Sequence, residues 1–115
     1  MDVRQVTAQG VVVLDVMGRV DNITAPALQT QLTSALAEPG ARLLVDFTKL
    51  DYISSAGFRI LLLAGKRAEQ SGCHLVLCGV SGRIRQLFDV GGFLDLFSVV
   101  GTREEGIAAA ASRNA

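Results

Sequence analysis

The stretch Val45-Asp46-Phe47-Thr48-Lys49-Leu50-Asp51-Tyr52-Ile53-Ser54-Ser55-Ala56-Gly57-Phe58-Arg59 leads from a buried strand through a short loop into a helix. Leu43 to Phe47 reads as the strand. The helix is expected from about Ser55 to Gln70, ending at Gly72. Within it Phe58, Leu61, Leu62, Gly65 and Ala68 recur at spacings that bring side chains onto one face, which predicts a core-facing stripe. Burial of its three large side chains contributes roughly 1.5–3 kcal/mol each. A strand running directly into an amphipathic helix is the building unit of α/β domains, and the flanking segments extend the pattern.

Upstream, Leu28, Leu32, Ala35 and Leu36 form a second helical stripe that Pro39-Gly40 closes. It begins near Ala25, where Asp21, Asn22 and Thr24 offer capping oxygens and Pro26 occupies the first turn without wasting a backbone donor. Further upstream Gly10 separates Val3–Ala8 from Val11–Val16, two β-branched segments expected to form a hairpin. Val11 to Leu14 is apolar without alternation, the mark of a strand covered on both faces. Downstream, Leu75–Cys78 is a strand, and Ser81 is placed to cap a helix that buries Ile84, Leu87 and Phe88 and stops at Gly91-Gly92. Phe97–Val100 is a last strand, and Arg103–Ala111 a last helix. The expectation is a single α/β domain over residues 1–115: an N-terminal β-hairpin, then alternating helices and mostly parallel strands joined by right-handed crossovers.

With 115 residues, half of them hydrophobic and 19% charged, the chain has material for one real core. Lys plus Arg and Asp plus Glu number 11 each, and there is no basic run, so neither nucleic acid nor an anionic membrane is an expected partner. The first residues carry charge and no apolar run approaches a membrane span, which places the chain in the cytoplasm as an expectation. Cys73 and Cys78 are spaced for neither a zinc site nor a redox pair and are expected to be packed thiols. His74, the only histidine, has no ligand set or nucleophile at a recognisable spacing. There is no P-loop, no GxGxxG turn and no GxSxG elbow, so an enzyme, a metal and a cofactor are all unexpected.

The quoted stretch also holds the candidate site. Ser54 is placed as the helix cap, leaving the Ser55 hydroxyl free on the first helical residue. Ala56 and Gly57 add little bulk beside it, as suits close approach by another protein. The helix side away from the predicted core carries Arg59, Leu63, Lys66, Arg67 and Gln70, with Ile60 at its margin. A small apolar patch ringed by charge suits docking. Asp46, inside its strand, is expected to be structural, bonding to the loop before Ser54. Two serines ahead of an apolar helix are also an ordinary cap, so the motif alone leaves both readings open.

Nearly the whole chain resembles the anti-sigma-factor antagonist branch of the STAS family. The resemblance lies in Gly18-Arg19-Val20-Asp21 with Thr24-Ala25, in Val45 to Ile53, in Ser54-Ser55-Ala56-Gly57, and in Val80-Ser81 through Arg85-Gln86-Leu87-Phe88-Asp89 to Gly92-Phe93. It implies that Ser55 is phosphorylated by a partner that is both anti-sigma factor and serine kinase, that phosphorylation releases the partner, and that a PP2C-type phosphatase restores binding. Where the family often has aspartate before this serine and a hydroxyl residue after it, this chain has Ser54 and Ala56; Ser54 is the second-choice acceptor. The resemblance places Asp21 near this serine, and with the exposed side of the helix the expected partner-binding surface is Asp21, Asn22, Thr24, Ser54, Ser55, Ala56, Gly57, Arg59, Ile60 and Leu63; a monomer is expected. The alternative is a STAS module that is never phosphorylated and serves as a structural subunit of a lipid-transport or stress-signalling assembly.

Overall fold

In a computed structural model of the chain, residues 1–80, 82–91 and 97–112 are described. They form β1 (Asp2–Ala8), β2 (Val11–Val20), α1 (Ala25–Ala35), β3 (Arg42–Asp46), β4 (Leu50–Ile53), α2 (Ser55–Gln70), β5 (His74–Cys78), α3 (Gly82–Gly91), β6 (Ser98–Val100) and α4 (Arg103–Ala111). The expected hairpin is present: β1 and β2 pair antiparallel across Gln9-Gly10. Both turn residues have positive φ, 53° and 76°, as a two-residue turn matched to strand twist requires. Along the sheet order β1-β2-β3-β5-β6 the other pairings, β2 with β3, β3 with β5 and β5 with β6, are parallel.

The departure that matters is β4. Leu50–Ile53, read from sequence as loop, pairs parallel with the far end of β2. Its buried residues, Leu50 and Ile53, stand three apart, so no alternation announced a strand. Besides β1, β2 serves two parallel partners because it is longer than expected. Val12–Asp15 pair with β3, and Gly18–Val20 pair with β4 after a register shift between Gly18 and Arg19. Gly18 sits there at φ 84°, with its N–H donated to the Lys49 carbonyl at 3.0 Å.

Alternate residues of the parallel strands face opposite layers. Leu43, Val45, Leu75 and Leu77 join Leu28, Leu32, Leu36, Leu61 and Phe88 in the main core under α1, α2 and α3. Leu44, Val76 and Cys78 face α4 on the other side. α3 buries Ile84 and Phe88, but Leu87 is 42% exposed: contact runs through the i, i+4 pair, and Leu87 lies to one side of it. The predicted cap Ser81, together with Gly92 and Phe93, lies outside the described residues.

Cys73 and Cys78 are free and buried, as expected. Burial, followed by the nearby Asp46 carboxylate, pushes the Cys78 thiol up to about 12, so it is not a nucleophile at neutral pH. Among the described residues no helix is long and apolar enough to cross a membrane, and no group of three His, Cys, Asp or Glu side chains is placed to hold a metal.

Asp46, 6% exposed, binds the loop that follows β3: its Oδ1 accepts from Thr48 N at 2.9 Å and from Thr48 Oγ1 at 2.6 Å. Its Oδ2 faces Arg103 at 3.3 Å, and Arg103 also meets Asp15 at 2.6 Å, tying the start of α4 to β2 and β3. Asp46→Asn keeps an acceptor for Thr48 but loses the charged contact. It is expected to cost about 1 kcal/mol, a melting temperature lower by about 4 °C on thermal denaturation.

Candidate functional site

The second half of β2 positions the site. The register Val20↔Ile53 sets the ends of β2 and β4 side by side, and Ser54 N donates to the Val20 carbonyl at 2.8 Å. The β2–α1 loop and the first turn of α2 are therefore neighbours although more than thirty residues separate them in the chain.

Ser54 is the N-cap, in extended conformation, and its Oγ accepts from Gly57 N at 3.3 Å. Ser55 is the first residue of α2; it is exposed, and among the described residues its hydroxyl has no hydrogen-bond partner. The cap satisfies a backbone donor while the next hydroxyl stays available. Ala56 is half-buried and borders a groove between α1 and α2.

Two expected docking residues are largely buried, although Ile60 also lines the groove. Gly57 is buried, and a Cβ there would stand 2.6 Å from Ile53 Cγ1 and 2.8 Å from Val20 Cγ1; its small size lets α2 close on the sheet rather than admitting a partner. Ile60 is only 9% exposed and packs in the main core. The buried arc of α2 is Gly57, Ile60, Leu61, Ala64, Gly65 and Ala68, whereas Phe58 and Leu62 are half-buried. Small residues carry the close approach, so the arc is rotated from the one its largest apolar residues marked out. Phe58 finds its partner in Phe88, edge to face at 5.0 Å.

Arg59 is exposed, and Leu63 is 50% exposed, as expected of a docking face. Both border the groove, of about 510 Å³, which runs from Asn22 and Ser55 past Pro26 and Gln29. A second hollow of about 230 Å³ continues it between the helices towards Thr33 and Arg67.

Asp21 folds back on its own loop. Its Oδ1 accepts from Ile23 N and Thr24 N at 3.0 Å each, and Thr24 Oγ1 lies 3.2 Å away. Thr24 Oγ1 also accepts from Asp21 N at 2.9 Å, closing the turn ahead of α1. The Thr24 N–H, opposed by desolvation and helped by Ile23 N–H, the Thr24 hydroxyl and Arg19, holds the Asp21 carboxyl below its ordinary value of 3.8. Folding that lowers a carboxyl pKa stabilises the loop in full above the ordinary value, and that contribution is lost as pH falls through the lower folded value. Acid titration followed by NMR is expected to shift the Ile23 and Thr24 amides together, with a midpoint below 3.8, and Asp21→Asn is expected to abolish that step.

Two residues at this end had not been picked out. Ile23, in the capping loop, is 87% exposed. The only sequence signal is an isolated apolar residue between capping oxygens, with no periodic partner. Tyr52 is also exposed, with the Arg19 guanidinium 4.4 Å above its ring. The site thus joins an unbonded hydroxyl at a helix start, a pinned loop bearing an exposed Ile23, and a groove with Arg59 and Leu63 on its rim. It presents an exposed hydroxyl beside an open groove, with no base placed on Ser55 among the described residues.

Comparison with known proteins identifies the family and the fold. A family model described as the STAS domain matches residues 2–106. BtrV of Bordetella bronchiseptica, assigned as an anti-sigma factor antagonist, is 36% identical over 100 residues, covering 87% of this chain and 86% of that protein. The anti-sigma-B factor antagonist of Bacillus subtilis is 30% identical over 94 residues, 82% of this chain and 85% of that protein. Among solved structures, the Bacillus cell fate determinant SpoIIAA in its phosphorylated form superposes with a TM-score of 0.73 at 18% identity, over 93% of this chain and 97% of that one.

Proposed function

Since the chain belongs to the STAS-domain family and has anti-sigma factor antagonists among its relatives, we propose that it is itself an anti-sigma factor antagonist working as a phosphorylation-controlled binding partner. Unphosphorylated, it holds an anti-sigma factor that is also a serine kinase, through the start of α2, the β2–α1 loop and the groove rim. The kinase transfers phosphate to Ser55: the Ser55 oxygen bonds to the γ-phosphorus of ATP, the bond to the bridging oxygen breaks, ADP leaves, and the serine proton passes to a base on the kinase. The phosphorylated form lets the partner go, and a PP2C-type phosphatase regenerates the binder. The protein acts as a cytoplasmic monomer and supplies an acceptor rather than a catalyst.

The observation that carries this reading is Ser55 itself: exposed, without a hydrogen-bond partner among the described residues, and on the first residue of a helix whose cap is already filled by Ser54. A phosphate there sits where unpaired N–H groups favour an anion, so the fold need not yield to accept it. The likeness of this fold to that of SpoIIAA in its phosphorylated form supports the same point.

Incubation with the cognate kinase, ATP and Mg²⁺ is expected to add one phosphate, mapped by mass spectrometry to Ser55 and absent from Ser55→Ala. Phosphate on Ser54 instead would move the acceptor by one residue. No phosphate at all would leave the structural-subunit alternative standing.

A further inference from the structure

We infer that Arg59 is an intramolecular clamp for a phosphate on Ser55: in the phosphorylated protein its guanidinium turns onto the phosphate oxygens and leaves the docking face. The inference rests on the reading of Ser55 as the acceptor and concerns what becomes of the phosphate once attached.

Ser55 is the first residue of α2 and Arg59 is four residues on, so the two side chains stand one turn apart on the same face. The anionic member would precede the cationic one, the order that also suits the helix dipole. Both residues are exposed and border the same groove. Among the described residues Arg59 makes no hydrogen bond or ion pair, in contrast to Arg103, which is held by Asp15 and Asp46.

The charge around the groove points the same way. Among the described residues, Arg59 is the one charged residue in its lining. α1, which forms the opposite wall, has no charged residue over its whole length, and Asn22 and Gln29 present neutral amides. On α2 the next charged residues are Lys66 and Arg67, about two turns further on, and Glu69 lies beyond them. The Asp21 carboxylate of the adjoining loop already accepts from Ile23 N and Thr24 N. Among the described residues, a phosphate on Ser55 therefore shares its groove with one cation, Arg59, and with no carboxylate in the lining. The planar guanidinium can take two phosphate oxygens at once, which an ammonium cannot do.

Phosphorylation then alters the docking face twice, by adding negative charge at Ser55 and by withdrawing positive charge from the rim at Arg59. The second change would be invisible to a picture in which the phosphate acts only by repelling the partner.

The test places phosphoserine at position 55 of the full chain by genetic encoding, so that every variant carries the phosphate whether or not a kinase accepts it. The second ionisation of the phosphate is then followed by ³¹P NMR in the wild-type chain, Arg59→Gln and Arg59→Lys. The wild-type phosphate is expected to bind its proton about twofold more weakly than in Arg59→Gln, a midpoint lower by about 0.3 pH unit, with Arg59→Lys between them. High salt should narrow the gap. Coincident titration curves for wild type and Arg59→Gln would overturn the clamp. The acceptor reading fails by a different result, the absence of phosphate at Ser55 after incubation of the unmodified chain with its kinase.

Discussion

Ser55→Asp is expected to bind the partner kinase about a thousandfold more weakly than the wild-type chain, while Ser55→Ala binds as wild type does. The unmodified hydroxyl is exposed and small, so a docked partner can bring its own carboxylate close to it. A unit negative charge introduced about 4 Å from such a group is repelled by about 4 kcal/mol at an effective dielectric of 20. Each 1.4 kcal/mol is tenfold in affinity, hence about three orders of magnitude. The same charge at the start of α2 favours the isolated protein by roughly 0.3–1 kcal/mol through the helix dipole. Thermal denaturation of Ser55→Asp should accordingly match wild type or exceed it slightly. Titration calorimetry against the kinase, with melting temperatures measured in parallel, separates the two effects. Equal affinities for the Asp and Ala variants would remove the switch, and a collapse in melting temperature would show that the charge acts on the fold instead.

Gly57→Ala is expected to destabilise the protein by about 2–3 kcal/mol, near the upper end for adding one methyl group to a packed site. The new Cβ would lie 2.6 Å from Ile53 Cγ1 and 2.8 Å from Val20 Cγ1. Neither neighbour is a flexible tip. Both are β-branched, hence stiff about χ1, and they are register partners across the β2–β4 pairing. Relief must come from moving α2 away from the sheet, and the hydrogen bond from Ser54 N to the Val20 carbonyl resists that movement. The melting temperature should fall by about 10 °C. Had Gly57 been small for the sake of a docking partner, the substitution would lower affinity and leave stability untouched, so chemical denaturation with wild-type stability would overturn its placement in the interior.

Much of this architecture can be read from local pattern. The hairpin, the helix starting at Ala25, the capped start of α2 and the strand at Cys78 follow from hydrophobic periods, turn residues and capping oxygens that act within a few positions of one another. The Ser54–Ser55 division of labour is local in the same sense: one hydroxyl closes the cap, and its neighbour is left over. Asp46 was legible as structural because a carboxylate inside a strand must find donors nearby, and Thr48 supplies them.

What was not legible depends on pairs of residues far apart in the chain. β4 exists because β2 outruns β3 and offers its last residues to a second partner, and nothing within Leu50–Ile53 encodes that length. Gly57 and Ile60 look available until Val20 and the α1 helix are set against them, since a small residue on a helix face marks close approach only when the approaching element is known. The groove and the neutrality of its far wall arise in the same way, from the pairing of α1 with α2. Ser55 as an exposed hydroxyl was therefore a property of a few consecutive residues. Its setting, with Asn22 brought to the same groove and Arg59 left without an ion pair among the described residues, was settled by tertiary packing, because burial and electrostatic contact are determined by distance in space and the chain encodes that distance only when folded.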